Sequence, residues 1–210
     1  LDVDPATAVI TVMFNRPVVA LTALEQQQDF PQPLESSPEI AGKGEWVNTS
    51  VYVFTPSGPL QGGTTYTARV KAGLQDTTGG LLAADYTWTF HTAPPKVVWT
   101  QPADGSNQVS VWPRIEVQFN MPIDPESARS SFRLEANGVP VDGEFEFVAN
   151  TLVFTPVQQL EFAAYHQVRL TAGVLAAAGG ERGMAEDYQF GFTTVPLPDI
   201  VRTEPADGTR

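Results

Sequence analysis

The chain of 210 residues contains no cysteine. This absence excludes disulfides, thiolate nucleophiles, cysteine-ligated zinc and iron–sulfur clusters. It does not assign a compartment, because an exported protein need not carry a disulfide. No apolar run approaches the roughly 18 residues of a membrane-spanning helix, so no membrane insertion is predicted for this segment. The chain also does not open with a basic region followed by an apolar one, as a secretory signal would.

Basic and charged side chains are scarce as well. Lysine and arginine number 12 against 24 acidic residues, giving a net charge of −12, and charged residues make up only 17% of the chain. This balance argues against nucleic acid or an anionic membrane as a partner. The 17 glycines and 18 prolines instead amount to one residue in six. Such a load favours short strands joined by turns over a helical bundle.

The chain repeats itself, with motifs of the first half returning in the same order at offsets of 100 to 105 residues. The pairs are 14–17 (Phe-Asn-Arg-Pro) with 119–122 (Phe-Asn-Met-Pro), 53–56 with 153–156 (both Val-Phe-Thr-Pro), 72–73 with 172–173 (Ala-Gly), and 85–92 with 187–194. Residues 98–105 (Val-Trp-Thr-Gln-Pro-Ala-Asp-Gly) return as 201–208 (Val-Arg-Thr-Glu-Pro-Ala-Asp-Gly). We therefore predict domains at 1–94 and 95–197, with 198–210 beginning a third copy. The first copy lacks the Pro-Ala-Asp-Gly opening, and the third copy stops soon after its own. Both ends therefore resemble cuts through an array of such domains.

Within each copy the apolar residues alternate with period two, which indicates half-buried strands. The predicted strands centre on Val9 to Phe14, Tyr66 to Val70, Tyr86 to Phe90, Ile115 to Phe119, Val168 to Leu170 and Tyr188 to Phe192. The predicted fold class is all-β, with two tandem antiparallel immunoglobulin-like β-sandwiches. The pattern predicts that Phe14, Phe119 and Trp88 are buried. It places Tyr165 one residue away from the position that the alternation of its strand predicts. We also expect a helical turn at 124–128, where Asp124 precedes Pro125, and a loop insertion at 26–33.

The candidate chemical groups have structural explanations. His91 and His166 occupy unrelated positions with no nucleophile motif beside either. Glu144 and Glu146 share one strand face opposite Phe145 and Phe147, as on a solvated surface, while Glu186 and Asp187 form a second acidic pair. Asp104 and Asp207 precede glycine in turns, where a carboxylate accepts backbone N–H groups, and the consensus calcium loop is absent. We predict no catalytic residues, no metal ligands and no cofactor.

The tryptophans and the repeated Phe-Asn-x-Pro motif leave alternatives open. Trp46, Trp88, Trp99 and Trp112 could form a platform for sugars, although Trp88 has a core pattern and Trp99 or Trp112 could pack near the start of the second copy. Asparagine at a strand end bonds to neighbouring backbone, and the proline after it ends the ladder. A shared fold therefore explains the motif without a shared binding site.

These motifs, in this order, resemble bacterial Ig-like domains, the modules of surface-layer and other large exported proteins. The stretch 14–22 (Phe-Asn-Arg-Pro-Val-Val-Ala-Leu-Thr), with 38–46 (Pro-Glu-Ile-Ala-Gly-Lys-Gly-Glu-Trp), is similar to the N-terminal region of bacterial alpha-2-macroglobulin-like proteins. Those proteins trap proteases, many through a Cys-Gln thioester. A chain without cysteine cannot carry that thioester.

The resemblance implies a non-enzymatic structural segment of a large exported alpha-2-macroglobulin-like protein, located in the periplasm or at the cell surface. Its expected partners are other domains of the same parent chain and, through the parent, proteases. The alternatives are a binding or spacer module of a surface adhesin or surface-layer protein, or an accessory domain of a secreted polysaccharide hydrolase.

Overall fold

A computed structural model describes residues 2–20, 29–177 and 180–204 of the chain. The chain divides into two compact units, which we call unit 1 (Leu1–Pro94 with Leu175–Gly183) and unit 2 (Pro95–Val174 with Met184–Arg210). Both units are built from β-sheets and only one short helix occurs in the described ranges, which confirms the predicted all-β fold of tandem sandwiches. None of the helical segments described is long and apolar enough to cross a membrane.

The described residues of unit 1 form six strands, arranged in two antiparallel sheets of three. They are β1 (Ile10–Met13), β2 (Leu34–Ser37), β3 (Gly42–Asn48), β4 (Val51–Pro56), β5 (Thr65–Val70) and β6 (Tyr86–His91). One sheet has the order β1-β4-β3 and the other the order β2-β5-β6. In the first sheet Val12 of β1 lies opposite Tyr52 of β4.

In unit 2, the part of the chain that the structure describes forms nine strands and one helix. They are β7 (Val97–Gln101), β8 (Ser106–Val109), β9 (Ile115–Phe119), α1 (Pro125–Ser131), β10 (Phe132–Ala136), β11 (Val139–Pro140), β12 (Gly143–Val148), β13 (Thr151–Pro156), β14 (Tyr165–Leu170) and β15 (Tyr188–Thr194). The sheets have the orders β12-β13-β9-β7 and β11-β10-β14-β15-β8. All neighbours pair antiparallel except β8, which pairs parallel to β15.

Local sequence signals explain where these elements begin and turn. The Asp124 carboxylate accepts the Ser127 N–H at 2.8 Å and caps α1, with Pro125 in the first turn. The helix runs for seven residues, longer than the single turn predicted. Asn137 and Gly138, with φ of 51° and 79°, form the tight turn between β10 and β11. Asparagine and glycine adopt this left-handed conformation most readily.

The core of unit 2 is extensive and contains Phe119, which is fully buried as predicted. The corresponding cluster in unit 1 has Val19, Trp46 and Tyr52 as its buried members. Phe14 is only partly buried and stacks on Trp46 with ring centroids 5.6 Å apart, so the prediction of a buried Phe14 is wrong. Trp88 is likewise half-buried instead of belonging to a closed core. In unit 1, β1 is the last strand of its sheet among the described residues. In unit 2, β7 pairs with the outer side of the equivalent strand β9.

Part of unit 1 comes from a distant stretch of the sequence, Leu175–Gly183. Within this unit the Arg182 N–H donates to the Gly63 carbonyl at 2.9 Å. The Arg182 guanidinium donates to the Thr92 carbonyl at 2.8 Å and pairs with Asp2 at 3.0 Å. No periodicity in the sequence indicates these contacts.

Several expectations fall outside the described residues. They concern Gln26–Gln28 in the expected loop insertion and the Pro-Ala-Asp-Gly sequence at 205–208, which includes Asp207.

Candidate functional site

The two histidines lie in different environments. His91, at the end of β6, is exposed, and its Nδ1 lies 2.9 Å from the Thr65 hydroxyl oxygen. His166, on β14, is fully buried, and its ring stacks on Phe192 with centroids 5.3 Å apart. His166 occupies the inward position that Tyr165 misses, since Tyr165 is 53% exposed.

The buried His166 has one satisfied and one unsatisfied ring nitrogen. Nδ1 lies 3.1 Å from the Ala164 carbonyl oxygen, and because a carbonyl only accepts, Nδ1 carries the proton. Burial lowers the pKa of His166, which favours the neutral ring. Nε2 is therefore an acceptor, and it has no hydrogen-bond partner among the described residues.

In unit 1 a tyrosine fills the equivalent position. Tyr66, the equivalent of His166, stacks on Phe90 at 5.3 Å, and its hydroxyl accepts the Gln61 N–H at 3.1 Å. Histidine is shorter than tyrosine, and unit 2 has a cleft of about 380 Å³ beside His166. The cleft is lined by residues of 136–142 and 157–161, including Asn137, Gln158 and Glu161. Because Nε2 of His166 is a buried acceptor at the wall of this cleft, it can accept a hydrogen bond from a small polar group bound there.

The acidic candidates that the structure describes are all exposed. Glu144 and Glu146 are exposed on β12, while Phe145 and Phe147 pack against the core. The Asp104 carboxylate accepts the Gly191 N–H at 2.9 Å. Residues 2–20, 29–177 and 180–204 contain no group of three or more acidic or histidine side chains able to hold a metal ion.

The four tryptophans do not form a shared platform within either unit. Trp46 is buried, and its indole N–H donates to the Pro31 carbonyl at 2.9 Å. Trp88 is half-buried on β6. In unit 2, Trp99 and Trp112 are 47% and 59% exposed.

The asparagine of the Phe-Asn-x-Pro motif holds a neighbouring strand in unit 2. The Asn120 side-chain oxygen accepts the Lys96 N–H at 2.7 Å, and the Asn120 N–H donates to the Lys96 carbonyl at 3.0 Å. These two bonds clamp the residue that precedes β7. Asn15, the equivalent in unit 1, is exposed and has no such clamp in the part of the chain that the structure describes.

Beside Asn15, unit 1 has an open groove of about 780 Å³ along β1 and β6. Its walls include Val12, Met13, Tyr86 and Trp88, and its lining is more apolar than polar. Met13 and Tyr86 are 76% and 64% exposed. Alternation in the sequence predicts which face of a strand each residue occupies, but it does not show that this edge is uncovered.

Other polar residues that recur in both units bond to the backbone of their own unit. The Thr92 hydroxyl donates to the Gln61 carbonyl, and the Thr194 hydroxyl donates to the Glu161 carbonyl, each at 2.6 Å. Asp85 accepts the Ala72 N–H at 2.9 Å, just as Asp187 accepts the Ala172 N–H at 2.9 Å. The repeated polar residues thus maintain the framework.

Two sandwiches built on the same motifs define a tandem array of immunoglobulin-like modules. The family model described as "Bacterial Ig-like domain" matches residues 2–92 and 91–194, and the chain belongs to this family. No curated protein sequence matches the chain.

Three solved structures show a distant likeness to it. Mycobacterium tuberculosis L,D-transpeptidase 1 is 24% identical over 48% of this chain and 39% of that chain, with a TM-score of 0.34. The N-terminal part of the bacterial S-layer protein SbsC is 20% identical over 50% of this chain and 25% of that chain, with a TM-score of 0.37. CopC from Methylosinus trichosporium OB3b is 15% identical over 50% of this chain and 98% of that chain, with a TM-score of 0.39. The chain thus spans about two fifths of the transpeptidase and a quarter of the S-layer structure.

Proposed function

We propose that this chain is a non-enzymatic structural segment of a large exported bacterial protein. The observation that carries the proposal is that the polar side chains recurring in both copies form hydrogen bonds to the backbone. Thr92 and Thr194, like Asp85 and Asp187, bond to backbone groups of their own units. What the two copies share is therefore a framework and not a set of groups aimed at a substrate. Domains of this family occur in extracellular or surface proteins of bacteria, which supports the periplasm or the cell surface as the location.

For the parent protein we propose an alpha-2-macroglobulin-like protease trap. The support is the resemblance of residues 14–22 and 38–46 to the N-terminal region of such proteins. In this role the segment positions other domains of the parent, and any thioester chemistry belongs to those domains, because this chain has no cysteine.

An antibody raised against this chain tests the proposal in the organism of origin. We expect it to detect one large polypeptide in the periplasmic or surface fraction, and addition of a protease should convert that polypeptide into a protease-containing complex. A cytoplasmic location, or hydrolysis by the purified chain that a point mutation abolishes, would contradict the structural role. A surface polypeptide that captures no protease would reject only the alpha-2-macroglobulin-like parent.

A second candidate function, a binding module, is favoured by the cleft at His166. Its buried Nε2 acceptor has no partner among the described residues, and Asn137 and Gln158 add polar groups at the rim. A screen of soluble glycans by NMR tests this role, with His166→Tyr as the matched control because tyrosine occupies the same position in unit 1. Chemical-shift changes around 157–161 that disappear in His166→Tyr would establish a glycan site.

A further inference from the structure

His166 and Tyr66 hold their rings in the same way on equivalent strands, but only the tyrosine has a hydroxyl. The Tyr66 ring stacks on Phe90 with centroids 5.3 Å apart and an interplanar angle of 13°. The His166 ring stacks on Phe192 with centroids also 5.3 Å apart and an angle of 12°. Because the two rings are held alike, the position of the Tyr66 hydroxyl corresponds in unit 2 to a point just beyond the edge of the His166 ring.

The backbone group that the tyrosine hydroxyl satisfies in unit 1 also has a counterpart in unit 2. The Tyr66 hydroxyl accepts the Gln61 N–H at 3.1 Å. Glu161 is the equivalent of Gln61, since the carbonyl of each accepts the hydroxyl of the recurring threonine in its unit at 2.6 Å. The Glu161 N–H donates no hydrogen bond within the described residues, and Nε2 of His166 accepts none there. By this equivalence, a donor and an acceptor adjoin the point that a hydroxyl fills in unit 1.

Only a hydroxyl satisfies both of these groups through a single atom. Its oxygen accepts the Glu161 N–H, and its proton goes to Nε2 of His166. An ammonium group donates but cannot accept, and a carboxylate accepts but cannot donate. The pair of groups therefore selects an alcohol over a cation or an anion.

The cleft beside His166 is large enough for a ligand that carries such a hydroxyl. Its volume is about 380 Å³, within the range of about 300–1,000 Å³ that is typical of small-molecule pockets. A single water molecule occupies only about 30 Å³. The lining residues, within 136–142 and 157–161 together with His166, all belong to unit 2 and lie well inside the sequence. The cleft is therefore formed within one unit.

The lining of the cleft favours a neutral ligand with several hydroxyls. Asn137, Gln158 and Gln159 contribute side-chain amides, which donate to and accept from hydroxyl groups. Asp142 and Glu161 add carboxylates, and no lysine or arginine is among the described lining residues. Because like charges repel, this lining disfavours anionic ligands such as uronic acids. A neutral sugar has the required hydroxyls and no negative charge.

We propose that this cleft binds a neutral sugar residue, one hydroxyl of which occupies the position of the Tyr66 hydroxyl, donates to Nε2 of His166 and accepts the Glu161 N–H. The inference rests on the binding-module function proposed above as the second candidate, and it identifies the atoms that anchor the ligand. A free sugar and the end of a glycan chain share this chemistry.

NMR titration of the isotope-labelled full chain tests the proposal through two signals, the ¹⁵N resonance of His166 Nε2 and the amide of Glu161. The probes are galactose, glucose, mannose and N-acetylglucosamine, each as the free sugar and as the terminal residue of a disaccharide. At least one should move both signals together and saturably, with a dissociation constant in the millimolar range expected of so small a ligand. Tighter binding of the disaccharide identifies a glycan end, and equal binding identifies a free sugar.

Substitutions at the two histidines separate the anchoring bond from unspecific effects. His166→Tyr supplies the hydroxyl from the protein itself, so it should abolish binding. His166→Phe removes the acceptor without supplying a hydroxyl and should weaken binding by about tenfold or more. His91→Phe makes the same change at the exposed histidine of unit 1 and should alter binding by less than about twofold.

A second series keeps the test valid if the substitutions at position 166 prevent folding, as judged by circular dichroism. Monodeoxy analogues of the bound sugar then replace the variants. Loss of the anchoring hydroxyl should weaken binding by about tenfold or more, because it leaves the two protein groups unpaired. Equal binding of every deoxy analogue would overturn the proposal.

The remaining outcomes distinguish this anchoring from the binding-module function itself. Shifts of other amides, with His166 Nε2 and Glu161 unchanged, would overturn the anchoring but leave a glycan-binding module. The absence of shifts with every probe would reject both. A hydrogen-bonded Nε2 resonance that no sugar changes would identify a bound water only, and galacturonate binding as tightly as galactose would contradict the neutral class of ligand.

Discussion

Units 1 and 2 place the same motifs on equivalent strands but bury them to different extents. Phe119 is completely enclosed in unit 2, whereas its equivalent Phe14 in unit 1 is only partly covered. The difference arises at the edge of the sheet, because β7 covers β9 while the described residues provide no such strand beside β1. The motif therefore determines which face of the strand a side chain occupies, and the neighbouring strand in the sheet determines how far that side chain is buried.

The largest expected effect comes from truncating the two phenylalanines. Phe119→Ala should reduce the free energy of unfolding of unit 2 by about 3–5 kcal/mol, because the ring is fully buried. Phe14→Ala should cost unit 1 less than about half of that, since water already reaches part of the ring. Hydrogen exchange followed by mass spectrometry measures the stability of each unit separately.

The control for this pair is Phe162→Ala, at a position that is 38% exposed in unit 2. This substitution should have a small effect on the exchange of β9. Equal losses for Phe14→Ala and Phe119→Ala would show that unit 1 is as closed as unit 2, contrary to the difference at the edge.

Much of this architecture could be predicted from the sequence, because the signals are local. Period-two alternation predicts the strands, and Asp124 followed by Pro125 predicts the start of the helix. The turn at Asp104 also follows from its sequence Asp-Gly, and the structure confirms it through the Ser106 N–H, which donates to the Ala103 carbonyl at 3.1 Å. The bond from the Gly191 N–H to the Asp104 carboxylate joins residues far apart in the sequence and was not predicted.

Other features could not be predicted, since they depend on which strands meet. The burial of Trp46 depends on the carbonyl of Pro31, which lies 15 residues away in the sequence. Whether Nε2 of His166 finds a partner depends on the surrounding loops, and those that the structure describes offer none. One signal was available, because the displaced register of Tyr165 implies that His166 takes the inward position.

A second comparison concerns Tyr66 and His166, which occupy equivalent positions. Tyr66→His should remove the acceptor of the Gln61 N–H and open a cleft in unit 1, at a cost of about 1–3 kcal/mol. His166→Tyr should fill the cleft of unit 2 and cost less than this, because the fold accepts tyrosine there in unit 1. Differential scanning calorimetry of both variants measures the two effects.

Tyr165→His is the appropriate control for the tyrosine comparison. Tyr165 neighbours His166 in sequence but is 53% exposed, so its replacement should hardly change the unfolding temperature. A larger loss for His166→Tyr than for Tyr66→His would mean that the surroundings of β14 fit histidine specifically.

The smallest expected effect is a difference in pH dependence between the units, because it rests on the titration of a single group. Burial lowers the pKa of His166 in the folded protein below that of the unfolded chain, so the unfolded state binds more protons at mildly acidic pH. The stability of unit 2 should therefore fall as the pH drops through the unfolded value of about 6.5. The pKa of Asp187 is lowered by Arg169 and by the Ala172 N–H, so this carboxylate stabilises the fold above its unfolded pKa of about 4. Its contribution is lost only as the pH falls below that unfolded pKa.

Hydrogen exchange of the β14 amides, corrected for the intrinsic pH dependence of exchange, measures the effect of His166. A comparison of pH 7.5 with pH 5.5, about one unit on either side of the unfolded histidine pKa, should show the loss of stability in wild-type protein and in His91→Phe. It should be absent in His166→Phe, and a loss that persists in this variant would assign the pH dependence to another group.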